Sequence, residues 1–170
     1  MSDVPSTPAD GNVATWLVPT IANPGAPTAA EIAAGTDISC YLTPDGFALS
    51  VDQATITDER ECDTEVFGQP GRKTYTLSLT GIDNTNSANA ATHNEMVDAL
   101  VEGTQMYVVR RRGVPFATAP TATTQKVTVI PFKPGVKQYV ATEANSVLRS
   151  TWTGFVTGSV RTEVAIAAGA

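Results

Sequence analysis

The feature that most constrains the fold is a regular alternation of apolar and hydroxylated residues. Between Arg72 and Ile82, the apolar residues Tyr75, Leu77 and Leu79 alternate with Thr and Ser. Successive side chains of a β-strand point to opposite faces, so this segment predicts a strand with one apolar and one hydroxylated face. The same alternation returns in three further segments, residues 47–52, 126–130 and 160–166. The chain is therefore predicted to be mainly β.

Three other segments are predicted to be strands. Residues 13–19 are predicted to form a short strand, and residues 105–110 carry apolar side chains on both faces, as in a buried strand. Residues 148–157 are separated from the next strand, 159–166, only by Gly158. This junction is compatible with either a tight hairpin or a bend.

Two segments favour helix. Thr28 and Glu31 have the spacing of a capping box, which predicts one or two helical turns ending before Gly35. A longer helix is predicted at residues 88–102, where apolar residues recur at helical spacing and Gly103 follows. Seven or eight strands with one clear helix indicate a β-sandwich or barrel with a helix packed on its flank.

The length of 170 residues suits one domain, 1–170. Residues 1–35 are predicted to be an N-terminal arm, flexible and polar in its first 12 residues, with a short helix. The β-sandwich is expected at 36–166, followed by a C-terminal tail at 167–170. No apolar stretch is long enough to cross a bilayer, and the first residues lack the features of a signal peptide, so we expect no membrane association and no export.

Charge and composition exclude several functions. The net charge is −6 and the pI is about 4.6, which argues against a protein that grips nucleic acid through phosphate contacts. The single histidine, His93, has no nucleophile or metal-ligand partner at a useful spacing, so we expect no enzyme activity, no metal and no cofactor. Cys40 and Cys62 are expected to be free thiols that act as small buried side chains.

An acidic segment at 58–71 interrupts the alternation between two strands and predicts a long loop. It carries five carboxylates against one arginine, in the order Asp58, Glu59, Arg60, Glu61, Asp63 and Glu65, before Phe67. A loop of this length is either functional or a solvated hairpin tip.

Arg110, Arg111 and Arg112 form the one concentrated basic run. On a strand, Arg110 and Arg112 share a face and Arg111 points away. The run suits phosphate contact, a carboxylate contact with another copy of the chain, or a solvated strand end.

Taken together, four segments resemble the major tail proteins (tail tube proteins) of long-tailed bacteriophages, over about residues 36–166. They are CYLTPDGF at 40–47, ITDERECDTEVFGQPG at 56–71, RKTYTLSLTGID at 72–83 and VVRRRG at 108–113. The resemblance implies a β-sandwich with a flanking helix. It also implies hexameric rings that stack into a tube, with about four strands per copy lining the lumen.

The family further implies a structural virion protein, located in the phage tail and assembled in the host cytoplasm. Its expected partners are further copies of itself and other tail proteins: tape measure, terminator, and baseplate or tip. DNA is expected to pass through without specific binding, because a wall that neutralises phosphates would hold the duplex.

The resemblance gives the candidate residues their roles. The expected lumen-facing residues are Thr74, Thr76, Ser78 and Thr80. The expected contact with a neighbouring subunit or ring is the acidic loop, including Phe67, with Arg110, Arg111 and Arg112 as its candidate basic partners.

Two alternatives stay open at the level of sequence. A carbohydrate-binding or adhesin-like β-sandwich module fits the Thr-rich strands, although aromatic residues make up only 6% of the chain and leave little for stacking on sugars. Another virion component, such as a tail terminator or a head decoration protein, fits as well.

Overall fold

The computed structural model describes residues 4–169, so Met1, Ser2 and Asp3 of the predicted arm and Ala170 of the predicted tail lie outside the described residues. The described chain is mainly β, with nine strands joined by hydrogen bonds and two short helices. In chain order the elements are β1 (Val13–Val18), α1 (Ala29–Ala33), β2 (Thr36–Asp37), β3 (Leu42–Asp58), β4 (Phe67–Ile82), α2 (Glu95–Ala99), β5 (Met106–Arg112), β6 (Lys126–Pro134), β7 (Gln138–Tyr139), β8 (Arg149–Val156) and β9 (Arg161–Ala165).

The strands follow the order β2-β1-β5-β6-β8-β4-β3, with β9 beside β6 and β7 beside β8. Strand β6 joins two layers, because its first part pairs with β5 and its last residues, from Phe132, pair with β8. The first layer holds β1, β2, β5, β9 and most of β6. The second layer holds β3, β4, β8, β7 and the end of β6. Within residues 4–169, the sheet of one chain does not close into a barrel.

The main core lies between the two layers. Leu77, Leu79 and Trp152 from the second layer pack toward Val108 and Ile130 of the first, and all five are fully buried or nearly so. Burying side chains of this size contributes roughly 1.5–3 kcal/mol each. The predicted apolar face of β4 is therefore confirmed as the core face.

A second core covers the other side of the first layer. Trp16 and Val109 pack there with Ile32 of α1 and with Ile166, which follows β9. The first layer is thus buried on both faces, whereas the second layer has one face on the core and one outside. This difference explains why β5 has apolar residues in succession while β4 alternates.

Helix α1 begins as predicted. The Thr28 side chain accepts a hydrogen bond from the Glu31 backbone N–H (3.2 Å), and the Glu31 carboxylate accepts from the Thr28 backbone N–H (2.8 Å). Glu31 also accepts from the Ala22 backbone N–H, and these backbone contacts hold the pKa of the Glu31 carboxyl below its usual range. The capping box is confirmed.

The predicted helix at 88–102 is much shorter in the structure, where α2 covers only Glu95–Ala99. Polar side chains explain the difference, because they bind the backbone that a helix would have used. The Asn84 amide donates to the His93 carbonyl oxygen (2.5 Å), and the Asn94 side chain accepts from the Asn84 backbone N–H (3.0 Å). Residues 84–94 therefore form turns.

The predicted loop at 58–71 is also shorter, because β3 runs to Asp58 and β4 begins at Phe67. The register shifts between Gln53 and Thr55, which identifies a β-bulge in this hairpin. At the bulge, a Cβ on Gly71 would meet the Ala54 carbonyl oxygen at 2.8 Å. Gly71 thus allows the two strands to approach closely where the sequence pattern predicted a loop.

Two further outcomes concern the junction at Gly158 and the cysteines. Strands β8 and β9 do not form a hairpin with each other, since both pair with β6, so the chain bends at Gly158. Cys40 and Cys62 are free, but both are exposed, so the prediction that they are buried is wrong. Each lies in a connecting segment outside the strands.

Candidate functional site

The outer face of the second layer is lined with hydroxyl groups. Register places Ser50 of β3 opposite Thr76, and Thr153 and Thr151 of β8 opposite Ser78 and Thr80. We call this surface the hydroxyl face; its members are Ser50, Thr74, Thr76, Ser78, Thr80, Thr151 and Thr153. None of these side chains is buried, whereas the alternate residues of β4 and β8 form the core. The four hydroxyl residues predicted from the β4 sequence thus share one solvent-facing side.

Part of the hydroxyl face is held together by its own hydrogen bonds. Thr80 Oγ1 donates to Thr151 Oγ1 (2.9 Å), Thr151 Oγ1 donates to the Leu79 carbonyl oxygen (3.3 Å), and Ser78 Oγ lies 3.4 Å from Thr151 Oγ1. Thr74 and Thr76 are exposed. The seven residues of the hydroxyl face are therefore polar and uncharged, and three of them lie within hydrogen-bond distance of one another.

The exposed ring of Phe155 marks the border of the hydroxyl face at β6. Phe155 is 61% exposed and lies opposite Lys133. Its ring covers Gly135, where an added Cβ would meet Phe155 Cε2 at 2.9 Å. The sequence interpretation did not single out Phe155, although it follows Thr151 and Thr153 at the next alternate position of β8.

The acidic segment forms the tip of a long hairpin made by β3 and β4. Nearly all residues from Gln53 to Lys73 are exposed, so this part of the hairpin projects from the sandwich. We call residues 58–66 the acidic tip. Arg60 binds Asp58 through an ion pair of 3.0 Å, and this is the only ion pair of the tip among the described residues.

The projecting hairpin also exposes apolar side chains. Register places Ile56 opposite Gln69 and Asp58 opposite Phe67, so Ile56 and Phe67 are diagonal neighbours on one face. Each is 55% exposed. A two-stranded ribbon with uncovered apolar residues is only marginally stable in water, which favours a partner that covers it.

Arg111 is fully buried and is not a free basic partner for the acidic tip. Its guanidinium lies 5.2 Å from the Trp16 ring and donates to Gln125 Oε1 (2.8 Å) and to the Pro115 carbonyl oxygen (3.0 Å). Burial lowers the pKa of Arg111, and the charge of Asp37 opposes that shift. Arg111 organises the connection between β5 and β6 inside this chain, which corrects its predicted role.

Arg110 and Arg112 share a face, as predicted, and lie on the side opposite Arg111. The Arg110 guanidinium stacks 4.1 Å from the centre of the Phe47 ring and donates to Thr15 Oγ1 (3.1 Å). Burial, and then the charge of Arg112, lower the pKa of Arg110.

Lys126, which the sequence interpretation missed, lies beside these two arginines. A cavity of about 540 Å³, which we call the basic cavity, is lined by Arg110, Arg112 and Lys126. Thr128, Thr162 and one carboxylate, Glu163, also line it. Lys126 begins β6 and Arg112 ends the neighbouring strand β5, and only the pairing of the strands brings them together.

A polar cluster around the buried Asp83 connects the segments after β4 and before β7 with β8. Asp83 accepts hydrogen bonds from Ser150 Oγ (2.5 Å) and Thr85 Oγ1 (2.6 Å) and forms an ion pair with Lys137 (2.6 Å). Burial alone would raise the pKa of Asp83, but Lys137, Ser150 and Thr85 outweigh it and hold the pKa well below its usual range. The partners lie far apart in sequence, and no local signal identified them.

Strand β3 forms an edge of the sheet. In residues 4–169 it pairs with β4 on one side and has no strand on the other. A 17-residue strand with an open edge is a template for pairing with another chain.

No metal-binding group of His, Cys, Asp and Glu occurs among residues 4–169. Within the same residues, neither helix has the length and apolar character that crossing a bilayer requires.

The sequence matches the model of a family described as phage tail tube protein over residues 1–169. No curated protein matches the sequence.

Two solved structures share the fold. One is a chain from the SPP1 tail tube, with a TM-score of 0.56 and 13% identity; the match covers 91% of this chain and 79% of that one. The other is a chain from the sixfold-symmetrised anti-feeding prophage baseplate, with a TM-score of 0.54 and 15% identity; the match covers 92% of this chain and 95% of that one.

Proposed function

This chain belongs to the phage tail tube protein family and is a structural protein of the virion tail, and on that basis we propose that its copies close into hexameric rings that stack into a tube for DNA. The observation that carries the proposal is the second layer, which has one core face, one hydroxyl face and an open edge at β3. The unpaired edge of such a layer can bind a strand of another copy.

The strand order supports ring closure. The second layer supplies four strands: β3, β4, β8, and the end of β6 continued by β7. In a ring, β3 of one copy pairs with the β7 side of the next, which removes every open edge of this layer. The structure of the anti-feeding prophage baseplate is sixfold symmetrised and contains a chain of this fold, which supports six copies.

The size of such a ring suits a duplex. Six copies with four strands each give a barrel of about 24 strands, and a spacing of ~4.8 Å gives a circumference of ~115 Å and a backbone diameter of ~37 Å before tilt. The hydroxyl face then lines the lumen with Thr74, Thr76, Ser78 and Thr80. The hydroxyl groups wet the channel without neutralising phosphates, so DNA moves through without specific binding.

The same proposal extends to the chemistry, the assembly partners and the two ends of the chain. The chain acts without catalysis. Its copies assemble in the host cytoplasm and contact tape measure, terminator and baseplate or tip proteins. The arm at residues 1–12 and the tail at 167–170 contribute to contacts between rings. The Gly113 and Phe116 backbone N–H groups anchor the end of the arm by donating to Asn12 and Gly11.

Electron microscopy of the purified protein tests the proposal. We expect rings with a central channel and tubes built from them, and sedimentation that depends on protein concentration. The variant Ser50→Pro places a proline in the open-edge strand β3 and removes a backbone donor. It should therefore reduce ring closure. A wild-type protein that stays monomeric at every concentration contradicts the proposal.

A further inference from the structure

The acidic tip and the basic cavity lie at opposite ends of β3. The Arg110 guanidinium stacks on Phe47, which fixes the cavity near the start of the strand. Asp58 comes eleven residues later in the same strand. At ~3.3 Å per residue, about 36 Å separate the two positions along β3. The opposite charges therefore do not meet inside one chain.

The carboxylates of the acidic tip have little compensation within the chain. Arg60 neutralises Asp58, and no other ion pair of the tip occurs among residues 4–169. Glu59, Glu61 and Glu65 are exposed and have the same sign. Crowded like charges repel one another, and a basic surface on another molecule relieves this repulsion.

The basic cavity has an excess of positive charge, which complements the negative charge of the acidic tip. Arg110, Arg112 and Lys126 line it, against one carboxylate, Glu163, and none of the three cations forms an ion pair in the described part of the chain. The lowered pKa of Arg110, caused by burial and then by Arg112, is consistent with cations that lack a counter-charge. Arginine presents a fork of donors that fits a carboxylate.

We propose that the basic cavity is the docking site for the acidic tip of a second copy of this chain in the adjacent ring. The inference rests on the proposed stacking of rings and identifies the surfaces that make the stack. Because tip and cavity are displaced along β3, each copy binds one neighbour above and one below, and the contact continues without closing. Phe67 and Ile56 supply apolar area beside the charges.

The favoured partner is protein carboxylate and not nucleic acid. The cavity contains the carboxylate of Glu163, and one of its arginines, Arg110, stacks on Phe47 and donates to Thr15. A phosphate backbone needs a row of cations, whereas a few carboxylates need only a local cluster.

Charge exchange between the two surfaces tests the inference. The tip variant is E61K/D63K/E65K, and the cavity variant is R112E/K126E. Each alone should reduce the length of tubes seen in the electron microscope at least about tenfold, while single rings still form. An equimolar mixture of the two variants, or one chain that carries both sets, should restore much of the length.

A matched control changes the same amount of charge elsewhere. The variant E95K/D98K/E102K reverses three exposed acidic residues in and after α2 and should leave tube length within twofold of wild type. Circular dichroism of each variant checks that the sandwich is folded.

The outcomes separate this inference from the proposed function. The docking inference is overturned if the wild-type protein forms tubes and the tip variant forms tubes of the same length. It is also overturned if the control variant shortens tubes as much as the tip variant does. Both outcomes leave the tube function intact. Failure of the wild-type protein to form rings overturns the proposed function itself. Restoration by the charge exchange, with an unaffected control, supports the docking inference.

Discussion

Thr80 Oγ1 lies 2.9 Å from Thr151 Oγ1, and this contact connects β4 with β8 on the side facing away from the core. The two residues are 71 positions apart, yet their register is fixed because Leu79 and Trp152 pair beside them in the core. The hydroxyl face is thus a direct consequence of core packing, and its chemistry can be changed without disturbing that core.

The first prediction concerns the charge of this face. The variant T74K/T76K changes two exposed side chains and should leave folding and tube assembly unchanged. Lysines in the lumen bind phosphates and release counterions, so DNA ejection from particles that carry the variant should slow several-fold, with a stronger effect at low salt. The rate of DNA release from purified particles measures this. Matched changes at exposed Thr104 and Thr142 should have no effect, and normal ejection from T74K/T76K particles contradicts the lumen assignment.

The second prediction concerns Asp83 and pH. Its pKa is held below that of an unfolded aspartate, so the ionised form stabilises the folded state above about pH 4, and this stabilisation is lost as pH falls through the lowered pKa. Asp83→Asn should lower the free energy of unfolding by about 3 kcal/mol at pH 7, because it leaves Lys137 without its partner.

Denaturant titrations at pH 7, 4 and 2.5 measure this difference. The difference in free energy of unfolding between wild type and Asp83→Asn should become smaller below pH 4. A difference that stays constant over this range contradicts the assignment. Exposed Asp98→Asn serves as the control and should change stability little at any pH.

The third prediction concerns Arg111. Arg111→Met keeps the apolar stem that packs near Trp16 but removes the donors to Gln125 and Pro115. The connection at 113–125 should become more sensitive to protease, and the free energy of unfolding should fall by about 1–3 kcal/mol. Limited proteolysis with mass spectrometry locates the cuts. Arg112→Met, at an exposed position, should not increase cleavage there.

The fourth prediction concerns the close contact at Gly154. A Cβ there would lie 2.6 Å from Leu77 Cδ2 and 3.0 Å from Phe132 Cδ2, so Gly154→Ala should overpack the core and cost about 1–3 kcal/mol. Thermal unfolding measures the loss. Gly169→Ala, where an added Cβ meets nothing within 4 Å, should unfold at the wild-type temperature.

The strands were predictable because alternation is a local signal. The pattern of Tyr75, Leu77 and Leu79 depends only on which face each residue occupies, and burial of one face gives this pattern directly. The capping box at Thr28 and Glu31 is local as well. Helical spacing near Met96 was a weaker guide, because Asn84 and Asn94 bind backbone groups in the segment before the helix and prevent a longer one.

The candidate surfaces were predictable only in part, because several depend on distant pairing. The hydroxyl residues of β4 follow from alternation. The pairing of β5 with β1 and β6 decides where the three arginines lie. It buries Arg111 and places Arg110 and Arg112 in a cavity with Lys126. The Asp83 cluster draws on Lys137 and Ser150, which no motif near Asp83 could indicate.

The separation of carboxylates and guanidinium groups along β3 gives each molecule a direction. If the acidic tip of each molecule binds the basic cavity of its neighbour, the finished polymer ends in an anionic rim of free tips and a cationic rim of free cavities. A protein that binds the anionic rim through basic groups then does not fit the cationic rim.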